Sequence, residues 1–418
     1  MSRTRRVSVA AFAAAICALV FTSLGAAADS PNQVADSDLQ PTSTKFGHPQ
    51  TPHAEARTIQ HWAGETTNPV DGATYSYSMV GANPATVSAA TIDVDIVPIN
   101  VTVAGTAFNG SDVVPTVLAS PLFQKGDYSS TSAASTATGG RGAGGELSAG
   151  NVDVQLLDAT MRSQFNKIGT GYHLFLSATV RRPVTIEVPA EFGVLMTSRG
   201  GTTFADIDQT WFQPQVEGLT ASLHYLQPHR LALFLTNDVM LYGNHNPIAC
   251  CVFGAHGTTD TTAEGKGSEG RQGLQTFVWA SWIKAGTFSP TKSWAKQDIS
   301  GLSHEIAEWA ADPFANNIVQ PWYSPVAMQY GCNNMLEIGD PLVGFGFTQG
   351  SNSFDQTNPY TDGAFHPQDE VFLPWFMRVA PNNISEPTQS PSTNIGRYTL
   401  MGDLNPFLGF HQPATGCN

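Results

Sequence analysis

The sequence predicts an α+β protein: a mixed sheet, β-rich in its N-terminal part, with one helix in its C-terminal half that carries a metal-site motif of the zinc-hydrolase kind. Three observations carry this. Ala90–Val103 alternates apolar and polar residues and is rich in β-branched ones, which is the pattern of a strand. Leu231–Leu235 is a short apolar run between turn-formers, read as a buried strand. Lys296–Pro313 has helical periodicity, with Gln297 or Asp298 able to start the helix and Pro313 to stop it.

The elements follow in chain order. Arg3, Arg5 and Arg6 precede an apolar stretch, Val7–Leu24, and then Ala26-Ala27-Ala28. This is the layout of a removed secretory signal, residues 1–28, cleaved before Asp29. Residues 29–70 are polar and Pro-containing without sustained period, and are read as a flexible leader or pro-segment that includes His48, His53 and His61. A β-rich part, 71–215, begins with strands from Tyr75 to Val103, in which Pro98 suggests an edge or a bulge. A short helix is expected over Val113–Phe123 and another over Leu156–Phe165. Residues 127–150 form a Ser/Thr/Gly-rich loop, and His173–Leu176 and Val184–Val188 are strand candidates. The site-bearing part, 216–418, adds the buried strand, the Cys250–His256 segment, a polar loop over 257–273, and Gln275–Ala285, which reads as helix or strand.

Charge and cysteines bound the function. The formal charge is −14, and Lys and Arg are few and scattered, so nucleic acid is an unsuitable partner. Past the signal no segment is long and apolar enough to cross a bilayer, which predicts a soluble, extracellular chain. Cys250, Cys251, Cys332 and Cys417 remain after cleavage, an even number that suggests two disulfides. A bond between adjacent cysteines would be strained. Cys250 and Cys251 are therefore each expected to reach a different partner, Cys332 or Cys417.

The helix holds the chemistry. At about 100° per residue, Glu308 lies about 40° from His304, Asp312 about 80° and Glu305 about 100°, with Ile299, Leu302, Ile306, Trp309 and Ala310 on the opposite side. His304 and Glu308 thus stack one turn apart and can reach one cation. Glu305 is turned aside, placed to hold a proton rather than the metal. This is the H-E-x-x-H arrangement with glutamate in the second histidine's place. A further ligand is sought in Met335–Pro341, with Glu337 favoured over Asp340, and other candidates are His256, His366, Asp369 and Glu370. The cofactor expected is Zn2+. An all-oxygen set of Glu308, Asp312, Glu337 and Asp340 would instead suit Ca2+.

Ser303–Asn317, followed by Trp322-Tyr323 and Leu336–Pro341, resembles the Exordium or phosphate-induced secreted protein family, with its H-E-x-x-E helix, Asn/Asp-Pro close and later Glu-Ile-x-Asp. Cys251–His256 and Val371–Phe376 are similar to further stretches of that family, so the likeness spans roughly 231–376. The resemblance implies an extracellular protein with a zincin-like metal helix and supplies no substrate. Two functions are expected from these features. One is a zinc-dependent metallopeptidase acting on extracellular protein or cell-wall material, with Glu305 as proton acceptor. The other is a non-catalytic extracellular protein holding a structural metal.

Overall fold

The computed structural model describes residues 57–128, 151–198, 200–261, 273–292, 294–326, 331–379, 398–400 and 413–417, together with a two-residue ladder at Thr22–Ser23. The rest of the expected signal, His48, His53 and the run 129–150 lie outside the described residues.

Helix and sheet are mixed, as the α+β expectation requires. The central sheet has seven strands. From one edge the order is β8 (Gly254–Asp260), β9 (Leu274–Trp282), β7 (Leu231–Asn237) and β3 (Ala89–Val103). Only the edge strand β8 runs antiparallel to its neighbour among these four. β3 then pairs in parallel with β5 (His173–Val180) and β6 (Val184–Glu187), and antiparallel with β4 (Thr106–Asn109). Strands from either side of residue 215 are therefore hydrogen-bonded neighbours in one sheet.

Both faces of this sheet are covered. Leu231, Leu233 and Leu235 project into one core with Val278, Ala280 and the helix α4 (Ser300–Ala311). Ala232 and Phe234 project into the other with Phe277, Trp279 and the helix α3 (Gln209–Ser222). Continuous burial of β7 and β9 follows, and it explains why Gln275–Ala285 shows no clean period two.

Several expectations are corrected. Pro98 is not at an edge: it lies in the central strand β3, opposite Leu235. On the other side of β3, β5 ends its pairing at Ile96 and β6 begins at Ile99. Pro98 falls in that gap, where its missing N–H costs no ladder bond. The end of the proposed leader is ordered, because His61–Thr67 (β1) pairs with Thr74–Val80 (β2). The loop expected from residue 257 is strand as far as Asp260. The helix expected over Val113–Phe123 is confined to Val114–Ala119 (α1), preceded by a 3-10 turn, and the helix expected over Leu156–Phe165 is α2 (Leu156–Gln164). Thr203–Asp208 is a strand of a second sheet that leads into α3.

The cysteine pairing is also corrected. Cys250 bonds Cys251 across a cis peptide, and Cys332 bonds Cys417. The strain expected of a bond between neighbours does not send Cys250 and Cys251 to different partners, and their Cα atoms lie 3.0 Å apart. The second bridge has a Cα spacing of 5.9 Å, ordinary for a disulfide. No helix among the described residues is long and apolar enough to cross a membrane.

Candidate metal centre

The site forms where α4 lies across β8 and β9. The apolar side of α4, with Ile299, Leu302, Ile306, Trp309 and Ala310, is buried in the core as its period requires. Trp309 Nε1 donates to Thr276 Oγ1 of β9 at 3.0 Å, which fixes the helix to the sheet. On β8, alternate residues Gly254, His256 and Thr258 face the helix. Thr258 Oγ1 donates to Pro313 O at 2.9 Å, and His256 Nδ1 lies 3.3 Å from Glu305 Oε2. Gly254 must lack a side chain here, because a Cβ would stand 2.5 Å from Glu305 Cγ.

The polar side of α4 is buried too. Glu305 is 7 % exposed and Glu308 is 4 % exposed. The acidic face of α4 is therefore not a solvated one. The turn 337–342 and the segment 366–370 cover it. Glu308 Oε1 accepts from the backbone N–H groups of Gly339 at 3.0 Å and Asp340 at 3.1 Å. Asp340–Leu342 is a 3-10 turn, and that turn delivers Asp340. Gly339 packs under the His304 ring so closely that a Cβ would come within 2.6 Å of Nδ1.

His304 Nε2 lies 3.1 Å from Glu308 Oε2 and 3.8 Å from Asp340 Oδ1. Ligands about 2.1 Å from a zinc ion sit about 3.4 Å apart in a tetrahedron, so this spacing suits one cation. Glu305 Oε1 is farther, 3.9 Å from His304 Nε2. A second group overlaps the first: His256, Glu305 and Glu308 offer ligand atoms within 4.8 Å of one another, all from buried residues. The described residues thus contain a buried group able to hold a metal ion. Glu337 does not join His304; its Oε2 lies 3.7 Å from His256 Nε2.

The charges are strongly coupled. Burial disfavours the charged imidazole of His304, but Glu308, Glu305 and Glu370 outweigh it and hold its pKa well above the ordinary value. The same balance, with Glu305, Glu337 and Glu308 as partners, pushes His256 up to about 9. Burial raises Glu308, yet His304, His256 and the Gly339 N–H overcome it and hold the carboxyl below the usual range. Burial dominates at Glu305, Asp340 and Glu370, all of which are raised.

Other candidates lie elsewhere. Asp312 is outside the group: α4 ends at Ala311, and the Asp312 carboxylate accepts from the backbone N–H of Asn316 and Asn317 at 2.9 and 3.1 Å. This removes it from the proposed calcium set. His366 is bound between Asp298 at 2.7 Å and Asp362 at 3.2 Å, so it is turned away from the cation position. Asp298 does not cap α4 with its side chain as expected at a helix start, since the N-cap residue is Ile299. Asp369 is buried and Glu370, 3 % exposed, lies close enough to act on His304. Gln368 was invisible to sequence reasoning because an amide is not a usual ligand. Its Nε2 donates to Gly339 O at 2.7 Å and lies 2.9 Å from His304 Nδ1, linking the turn to the ring.

Compared with known protein families, curated proteins and solved structures, the chain matches none.

Proposed function

We propose that the protein is an exported metal-dependent hydrolase of the zinc metallopeptidase class. The observation that carries this reading is the trio His304, Glu308 and Asp340 with Glu305 beside it. Nitrogen and oxygen donors at that spacing suit zinc, and one imidazole among them weakens the case for calcium. The trio is also the more open group. The side chains of His304 and Asp340 are 12 % and 20 % exposed, against 4 % for His256. A substrate therefore has an approach on the Asp340 side.

A cation held there supplies Lewis acidity, polarising a carbonyl and easing the ionisation of water. The chain's own groups do the rest. Glu305 takes the proton, and its raised pKa makes it a better base than an exposed carboxylate. His256 Nδ1, 3.3 Å from Glu305 Oε2, holds the carboxyl so that Oε1 faces the trio. Glu305 then returns the proton to the leaving nitrogen. Extracellular protein or cell-wall material is the substrate class that fits export, and the two disulfides fit an oxidising compartment.

A second reading, a non-catalytic extracellular protein with a structural metal, is favoured by the burial of Glu305 at 7 % exposure. Proteolysis of a denatured protein by wild type and Glu305→Gln, each loaded with one equivalent of zinc, separates the two. The hydrolase reading expects the variant to be slower by at least about 100-fold with that one zinc still bound. Equal rates, or no cleavage by the loaded wild type, would leave the second reading.

A further inference from the structure

We infer that Glu308 is shared between two cation positions, the second formed by His256, Glu305 and Glu308 on the closed side of the first. The two ligand groups overlap only at Glu308, and the imidazoles of His304 and His256 fall in separate groups. His304 Nε2 stands 3.1 Å from Glu308 Oε2, and His256 Nδ1 stands 3.7 Å from the same oxygen. A carboxylate oxygen between two imidazole nitrogens is the arrangement of a bridging ligand, and two-metal hydrolytic sites place their ions about 3.5–4 Å apart.

Three features mark the second position as built. Its ligand spacing is suitable, with His256 Nδ1 3.3 Å from Glu305 Oε2 and tetrahedral edges of about 3.4 Å expected for zinc. Its imidazole is aimed. The far nitrogen, Nε2, makes no hydrogen bond and faces Glu337 Oε2 at 3.7 Å. A proton on Nε2 would be held by that carboxylate and leave Nδ1 to ligate, as in carboxylate–histidine–metal relays. Finally, the surroundings are overloaded with acid. Glu370 is 3 % exposed and neither of its carboxyl oxygens has a hydrogen-bond partner. Glu305, Glu308, Glu337 and Asp340 crowd the same space. Buried carboxylates need pairing or a metal, and a second divalent cation offsets charge that one leaves over. Imidazole with carboxylate ligands suits zinc or manganese at this position.

The second cation has a consequence for chemistry, and this part rests on the hydrolase reading. A second cation on Glu305 Oε2 would draw electron density from the carboxylate and make Oε1, which faces the trio, a weaker proton acceptor. The first equivalent of metal then activates and the second inhibits.

The test is a manganese titration of the full chain after chelator treatment, followed by electron paramagnetic resonance. Wild type is expected to take two equivalents with a magnetically coupled signal. His256→Ala and Asp340→Asn are each expected to take one, with the uncoupled signal of an isolated ion. Saturation of wild type at one equivalent, two uncoupled ions, or two equivalents in His256→Ala would overturn the shared position. One equivalent in wild type that Asp340→Asn abolishes would overturn it while leaving the hydrolase reading intact. No binding at all removes both. The wild-type spectrum decides the matter if a variant does not fold.

Discussion

Replacing Gly339 with alanine inserts one methyl group under the His304 ring. The new Cβ would lie 2.6 Å from Nδ1 and 2.8 Å from both Cε1 and Cγ. Carbon contacts settle at about 3.5–4.0 Å, so the ring has to retreat by about 1 Å. The backbone does not resist the change, because Gly339 sits at φ −86° and ψ −33°, where alanine is at ease. The ring cannot retreat freely either, being held by Gln368 at 2.9 Å and Glu308 at 3.1 Å. Overpacking of this kind costs about 1–3 kcal/mol. Metal ligands tolerate displacements of only about 0.2 Å, so the larger effect falls on binding. A loss of about 10–100-fold in zinc affinity is expected, the range seen when groups that orient ligands are disturbed. Competition with a chromophoric chelator reads the affinity, and urea unfolding of the chelator-treated protein reads the stability. Wild-type values for both would show that His304 is not held against Gly339, and the site geometry would fall with it.

Two further outcomes follow from groups outside the cation position. His366 is disfavoured in its charged form by burial, but Asp298 and Asp362 raise it from 6.5 to about 9. Its folded pKa lies above the unfolded one, so its contribution is complete below about pH 6.5 and is lost as pH rises through about 9. The shift corresponds to at most about 3 kcal/mol. Lys296 is depressed by burial to about 8 and works in the opposite sense above that pH. The difference in unfolding free energy between wild type and His366→Gln isolates the histidine. That difference should shrink between pH 6.5 and 9; a constant difference would refute the ion-pair account. Asp312→Ala removes the acceptor for two backbone N–H groups beyond α4. It is expected to lower stability by about 1–3 kcal/mol without changing metal content, and a loss of bound metal would place Asp312 back among the ligands.

The helix and its clustered histidine and glutamates were legible because both the apolar and the polar stripes obey one period. Reading failed where that period stops. Asp312 was placed by continuing a helical wheel one residue past Ala311, where the backbone has turned to φ −143°. The buried state of the acidic face was equally hidden, since its cover comes from 337–342 and 366–370, far away in sequence. β7 was legible as a buried run, whereas β9 was ambiguous because two buried faces erase alternation. Pro98 misled because a local rule about edges does not know that a central strand can change partners at that point. The cysteine count pointed to two disulfides but could not choose among the three possible pairings. Gln368 and Gly339 act through contact alone, and their residue types carry no signal for it.

His304, Glu308 and Asp340 are proposed to hold one divalent cation. The most direct test is the zinc dissociation constant of the purified full chain beside that of Asp340→Asn, measured by chelator competition. The account predicts a tight zinc equivalent in wild type that the variant binds at least about 10-fold more weakly. Wild type and variant with the same affinity, or a wild type that binds no zinc, would contradict it.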